Sequence, residues 1–174
     1  MGRKRPPPLS GFDYLGCHAY FLTICAENGA PFAGAPKIAD AVCAELLRTA
    51  ADYRFATIAY CLMPDHLHAL LEGQEDRSDF QKFAAMIKQR TSFAYRRVSE
   101  TQLWQEGYYD HVLRDEESQI GVAAYIVNNP IRAGLCAKIS DYAWLGSGRY
   151  KLDELIEAVQ LDPRGPRRRS TSRP

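Results

Sequence analysis

Long apolar runs are missing from this 174-residue chain. None approaches the roughly 20 residues that a membrane-spanning helix requires, so no membrane association of that kind is expected. The N-terminus, MGRKRPPPLSG, starts basic but has no apolar stretch behind it and does not read as a secretory signal. Cysteine is sparse and unpatterned, with five residues (17, 25, 43, 61 and 136) and no CxxC spacing. That excludes a disulfide scaffold and predicts reduced core thiols in a cytoplasmic protein. Acids are absent from both ends. Arg3, Lys4 and Arg5 stand at one end, and Arg164, Arg167, Arg168, Arg169 and Arg173 at the other. Because the net charge is only +1, the stretch between them is acidic, and a wholly basic DNA-binding module is excluded. Residues 1–11 and 163–174 read as basic tails, the second expected to be disordered, flanking a single domain over 12–162. Such tails suit a polyanion, or are simply solvated.

What is present is an alternation of strand and helix periodicities. HAYFLTICAEN (18–28) sets Tyr20, Leu22 and Ile24 against Phe21, Thr23 and Cys25, predicting a strand buried on both faces. PKIADAVCAELLRTAADY (36–53) enters through Pro36 and predicts an amphipathic helix. FATIAYCLM (55–63) predicts a second strand, Pro64-Asp65 a turn, and HLHALLEG (66–73) a third strand antiparallel to the second. FQKFAAMIKQRTSFAYRRV (80–98) predicts a helix whose apolar stripe holds Phe80, Phe83, Ala84, Ile87, Phe93 and Ala94. LWQEGYYDHVLR (103–114) predicts a fourth strand kinked at Gly107. DEESQIGVAAYIVNN (115–129) predicts a helix capped by Asp115 and interrupted at Pro130. The order β-α-β-β-α-β-α implies an α+β fold with a ferredoxin-like, four-stranded antiparallel sheet and helices packed on one face. The third strand's polar face then points away from the helix layer or lies at its edge.

Two of the four histidines, His66 and His68, sit two apart on that third strand. Positions i and i+2 of a strand point the same way, so both imidazoles converge above one face. They either share hydrogen bonds or bind a divalent metal. Tyr125 and Asn129, four apart, share one face of the last helix. Read alone, Tyr125 is an amphipathic core tyrosine. The basic face of helix 80–98, with Lys82, Lys88, Arg90, Arg96 and Arg97, is either a phosphate track or a solvated surface. Of Trp104, Tyr108 and Tyr109, which could stack on unpaired bases, two are expected in the core.

Three segments, MPDHLH (63–68), LWQEGYYDHVLRDEE (103–117) and YIVNNPIRAGL (125–135), bear on these choices. Together and in this order they resemble the REP-associated tyrosine transposases, single-tyrosine HUH transposases related to insertion-sequence enzymes that move single-stranded DNA. The resemblance implies His66 and His68 as metal ligands, Tyr125 as nucleophile and Asn129 as a metal-binding amide. Asp65 stands where family members often have asparagine; it either raises metal affinity or only forms the turn. Pro130 disfavours helical geometry at Asn129, which leaves the direction of that side chain open.

The implied activity is that of a metal-dependent single-stranded DNA endonuclease and strand transferase cleaving beside a hairpin. A divalent ion, Mg²⁺ or Mn²⁺, would polarise the scissile phosphate. A free phenol titrates near ~10, so a tyrosine nucleophile needs the metal's field or a nearby base. The product would be a 5′-phosphotyrosine and a free 3′-OH. Besides the cations of helix 80–98, Arg167, Arg168 and Arg169 of the tail are candidate DNA contacts. The expected partner is hairpin-bearing single-stranded DNA, bound by a monomer or homodimer at the nucleoid. The alternative is a non-catalytic single-stranded nucleic-acid-binding module on the same kind of sheet. No RNP-type aromatic sequence favours it. A zinc site from Cys61, His66 and His68 lacks a fourth ligand at suitable spacing.

Overall fold

Alternating apolar residues in the strand segments fold into a five-stranded antiparallel sheet of order β4-β1-β3-β2-β5. The structure is a computed structural model and describes residues 11–27, 29–114 and 119–161. In chain order the elements begin β1 (Ala19–Cys25), α1 (Pro36–Asp52), β2 (Phe55–Leu62) and β3 (His66–Gly73). Next come α2 (Phe80–Tyr95), β4 (Tyr109–Val112), α3 (Gln119–Val127) and α4 (Asn129–Arg132). A 3-10 turn (Ile139–Asp141), β5 (Leu145–Gly146) and α5 (Leu152–Leu161) follow. The predicted cap at Asp115 and both charged tails, apart from Gly11, lie outside the described residues. Among the described residues no helix is long and apolar enough to cross a membrane.

The expected four-stranded sheet with helices on one face needs two corrections. The short strand β5 extends the sheet beyond β2, pairing Tyr60 with Gly146 and Cys61 with Leu145. Helices also cover both faces. Leu67, Ala69 and Leu71 of β3 pack into one core with α1 and α2. Leu70 joins Ile58, Ala59 and Cys61 of β2 in a second core with α3, Tyr142 and α5. The physical reason is that β2 and β3 are apolar on both sides. One helix layer would leave Ile58, Cys61 and Leu70 in water.

β1 departs from its prediction in the opposite sense. Tyr20, Leu22 and Ile24 are fully buried, with the Tyr20 ring stacked 4.0 Å from Phe80. Phe21, Thr23 and Cys25, on the other face, are only half-buried. In α2 the buried stripe runs Phe80, Phe83, Ala84, Ile87 and then Thr91, while Phe93 is 64% exposed. Steps of three or four from Ile87 reach Thr91 rather than Phe93. The Thr91 hydroxyl donates to the Ile87 carbonyl and accepts from the buried indole of Trp104 at 2.7 Å. The fourth strand shrinks to Tyr109–Val112 because Gly107 turns the chain with φ +72.

Candidate active site

The β2–β3 hairpin closes through Pro64-Asp65, where the Met63 N–H donates to the His66 carbonyl at 2.7 Å. Pairing of β1 with β3 then sets Thr23 opposite His68 and Cys25 opposite His66. The second core's face therefore carries both imidazoles beside Thr23. His66 Nδ1 lies 2.6 Å from Asp65 Oδ1, and His68 Nδ1 lies 2.8 Å from Thr23 Oγ1. With each Nδ1 engaged, the two Nε2 atoms are left facing one another at 3.0 Å. Two lone pairs that close repel unless a proton or a cation lies between them. Two nitrogens each about 2.1 Å from one ion, at roughly a right angle, have about this separation.

His68 is 6% exposed. Burial lowers its pKa to about 3, with the charges of His66 and Arg132 acting in the same direction and Asp65 opposing them. It is thus held neutral, the form that ligates a metal.

Tyr125 rises from α3 toward this pair. Its ring centroid lies 5.7 Å from that of His68 and 5.7 Å from that of Phe21. At 40% exposure it is no core tyrosine, although its neighbours Ala123, Ala124, Ile126 and Val127 are buried. Asn129, whose side-chain direction the sequence left open, is the first residue of α4. The interruption falls at Asn128, which keeps near-helical backbone (φ −86, ψ −2) and donates from its side chain to the Ala124 carbonyl at 2.9 Å. Helical progression therefore continues from Tyr125 to Asn129. The Asn129 Nδ2 is buried without a hydrogen-bond partner. A buried amide N–H lacking a partner is costly and is completed by an incoming acceptor, such as a phosphate oxygen, whereas the Oδ1 of the same amide is the atom able to ligate a metal.

Two imidazoles and the oxygen of this amide form a donor set that suits a divalent ion such as Mn²⁺. Among the described residues no group of three or more His, Cys, Asp or Glu could hold a metal. Cys61 sits directly opposite His68 on β2, closer than its place before the turn suggested. Burial pushes its thiol far above the ordinary range and keeps it protonated, and it donates to the Met63 sulfur. It is therefore no thiolate ligand.

The candidate DNA contacts on α2 are not brought to this cluster, because α2 packs on the opposite face of the sheet. Lys82 pairs with Asp79, and Arg90 pairs with Asp52 at 2.6 Å and Glu45 at 3.4 Å. Lys88 donates to the carbonyls of Gln105 and Gly107, and Arg97 lies over the Phe93 ring. Arg96 borders an open groove of about 650 Å³ with Lys88, Phe93 and Trp104. Arg167, Arg168 and Arg169 lie outside the described residues. Trp104 is buried and Tyr108 packs on the first core, whereas Tyr109 pairs with Thr23 and so shares the histidine face.

Sequence reasoning missed Thr23, Phe21 and Arg132. The first two face the site only through strand register. Arg132, seven residues past Tyr125, stands two helical turns on, and its guanidinium lies 4.7 Å from the Tyr125 ring centroid. Treating Pro130 as a break concealed that spacing.

Strand-borne paired histidines opposite a helix-borne tyrosine are the arrangement expected of a tyrosine transposase. The family described as "Transposase IS200 like" matches residues 18–129, and this chain belongs to it. The REP-associated tyrosine transposase of Escherichia coli (strain K12) is 23% identical over 114 residues, covering 62% of this chain and 67% of the relative. A Haemophilus influenzae (strain Rd) protein, provisionally given the same name, is 26% identical over 110 residues. That match covers 56% of this chain and 61% of the relative, so the chain spans less than two thirds of its length. The solved structure of a REP-associated tyrosine transposase bound to a REP hairpin superposes with a TM-score of 0.65 at 20% identity. That alignment covers 83% of this chain and 82% of the other, and establishes a shared fold.

Proposed function

We propose that this protein is a metal-dependent enzyme that nicks and rejoins single-stranded DNA beside a hairpin through a 5′-phosphotyrosine on Tyr125. The observation that carries this reading is the seating of Tyr125 against His68, whose Nε2 is 3.0 Å from that of His66. His66, His68 and Asn129 would hold the divalent ion, Mg²⁺ or Mn²⁺. Bound there, it supplies charge that polarises the scissile phosphate. Asp65 and Thr23 orient the imidazoles from behind. Phe21 packs in a T-shaped contact with the Tyr125 ring, which stays partly exposed to solvent. The Tyr125 oxygen bonds to phosphorus as the bond from phosphorus to the 3′ oxygen breaks. The departing oxygen takes up a proton, and the phenol's proton passes to solvent or a nearby base. The energy of the broken linkage stays in the phosphotyrosine, and attack by a 3′-OH reverses the step.

A hairpin partner is supported by the REP hairpin bound to the structurally similar transposase. Both halves of the site come from one chain, so a monomer suffices, working in the cytoplasm where its DNA lies. The test mixes the chain with end-labelled, hairpin-bearing single-stranded DNA and Mn²⁺ or Mg²⁺ and assays a denaturation-resistant adduct. The wild type forms it, while Tyr125→Phe and His66→Ala do not. An adduct persisting in Tyr125→Phe refutes the nucleophile. DNA binding without any adduct identifies a non-catalytic binding module instead.

A further inference from the structure

Arg132 closes α4, three residues beyond the end of the family match at Asn129. Its guanidinium lies over the face of the Tyr125 ring, and its charge is felt at His68. Arg90 and Arg149 are each neutralised by carboxylates, at Asp52 and Glu72. Among the described residues Arg132 makes no ion pair with a carboxylate, although it is solvent-exposed and close enough to His68 for its charge to act there. A contact through the ring face leaves most of the guanidinium's N–H donors unengaged. An arginine with no counter-ion among the described residues, standing over a nucleophile, matches a forked acceptor that arrives from outside. A phosphodiester has that geometry in its two non-bridging oxygens.

We propose that Arg132 is a catalytic residue that grips a non-bridging oxygen of the scissile phosphate and, from the same position, holds the Tyr125 ring for attack. This rests on the phosphotyrosine reading and extends it. The phosphate gains negative charge as the fifth oxygen approaches, so a fixed cation there stabilises the transition state more than bound DNA. An arginine that only staples α4 to α3 would lack this preference.

The experiment measures single-turnover adduct formation and, separately, DNA affinity by fluorescence anisotropy, for the full chain and for Arg132→Met and Arg132→Lys. Arg132→Met is expected to lose about 10²-fold in rate, with a much smaller change in affinity. Arg132→Lys keeps the charge without the fork and falls between. Added guanidinium ion should restore part of the Arg132→Met rate. A DNA carrying a neutral methylphosphonate at the scissile position should react at similar rates with wild type and Arg132→Met. Equal rates on ordinary DNA would overturn the proposal, as would a defect neither rescued by guanidinium nor erased by methylphosphonate. If Arg132→Met does not fold, wild type and Arg132→Lys compared on ordinary and on methylphosphonate DNA decide. A wild type that forms no adduct refutes the phosphotyrosine reading, and this proposal with it. A reactive wild type with indifferent Arg132 variants removes this proposal alone.

Discussion

At the scale of residues, His68 shows how burial prepares chemistry. Its folded pKa of about 3 lies below the ordinary histidine value, so the unfolded chain binds its proton more readily. This contribution to stability is complete above pH about 6.5 and declines as the pH falls toward 3. The slope is at most about 1.4 kcal/mol per pH unit. Urea denaturation of the metal-free protein should show lower stability at pH 4.5 than at pH 7.5. His68→Gln should show a smaller difference between the two, and an equal difference would contradict the assigned burial effect. The convergence of His66 and His68 was legible because a strand's period is two. Thr23, forty-five residues away, was not. Its partnership depends on which residue of β1 lies opposite which residue of β3.

At the scale of elements, the register of β3 decides whether the imidazoles face α3 or the first core. One anchor of that register is Gly73 at the strand's end. A Cβ there would overlap the backbone carbonyl of Gly16, and the Gly73 N–H donates to the His18 carbonyl at 2.9 Å. Gly73→Ala should therefore cost about 1–3 kcal/mol in chemical denaturation, as overpacked sites do. An unchanged midpoint would show that the Gly16 turn yields freely. Long, strongly periodic elements such as α1 and β3 were legible almost to their ends. β5 was not, since two residues carry no period. The fate of Phe93 against Thr91 turned on Trp104, whose buried indole donates to the Thr91 hydroxyl.

Across the whole molecule, many cations of the folded domain are paired within it, and the surplus positive charge lies toward the chain ends. The α2 cations are largely met by Asp79, Asp52, Glu45 and backbone carbonyls. Five arginines within residues 163–174 have no acid after Asp162, and they are the main reserve for phosphate attraction. Deleting 163–174 should weaken binding to hairpin-bearing single-stranded DNA and flatten its salt dependence. Each engaged arginine contributes about 0.7 to the logarithmic slope. Equal affinity and slope in the truncated chain would assign the attraction to the folded domain.

Spacing alone determined that His66 and His68 share a strand face and that Tyr125 and Asn129 share a helix face, because those periods are local properties of the backbone. The order of the three motifs likewise carried the family. That the two faces meet was decided by tertiary structure, because β2 and β3 are apolar on both sides and recruit α3 and α5 to the surface opposite α1 and α2. The same packing carries the helix past Pro130 and sets Arg132 over Tyr125. The i+7 spacing is local, but it places the two side chains together only because the helical path continues past Pro130.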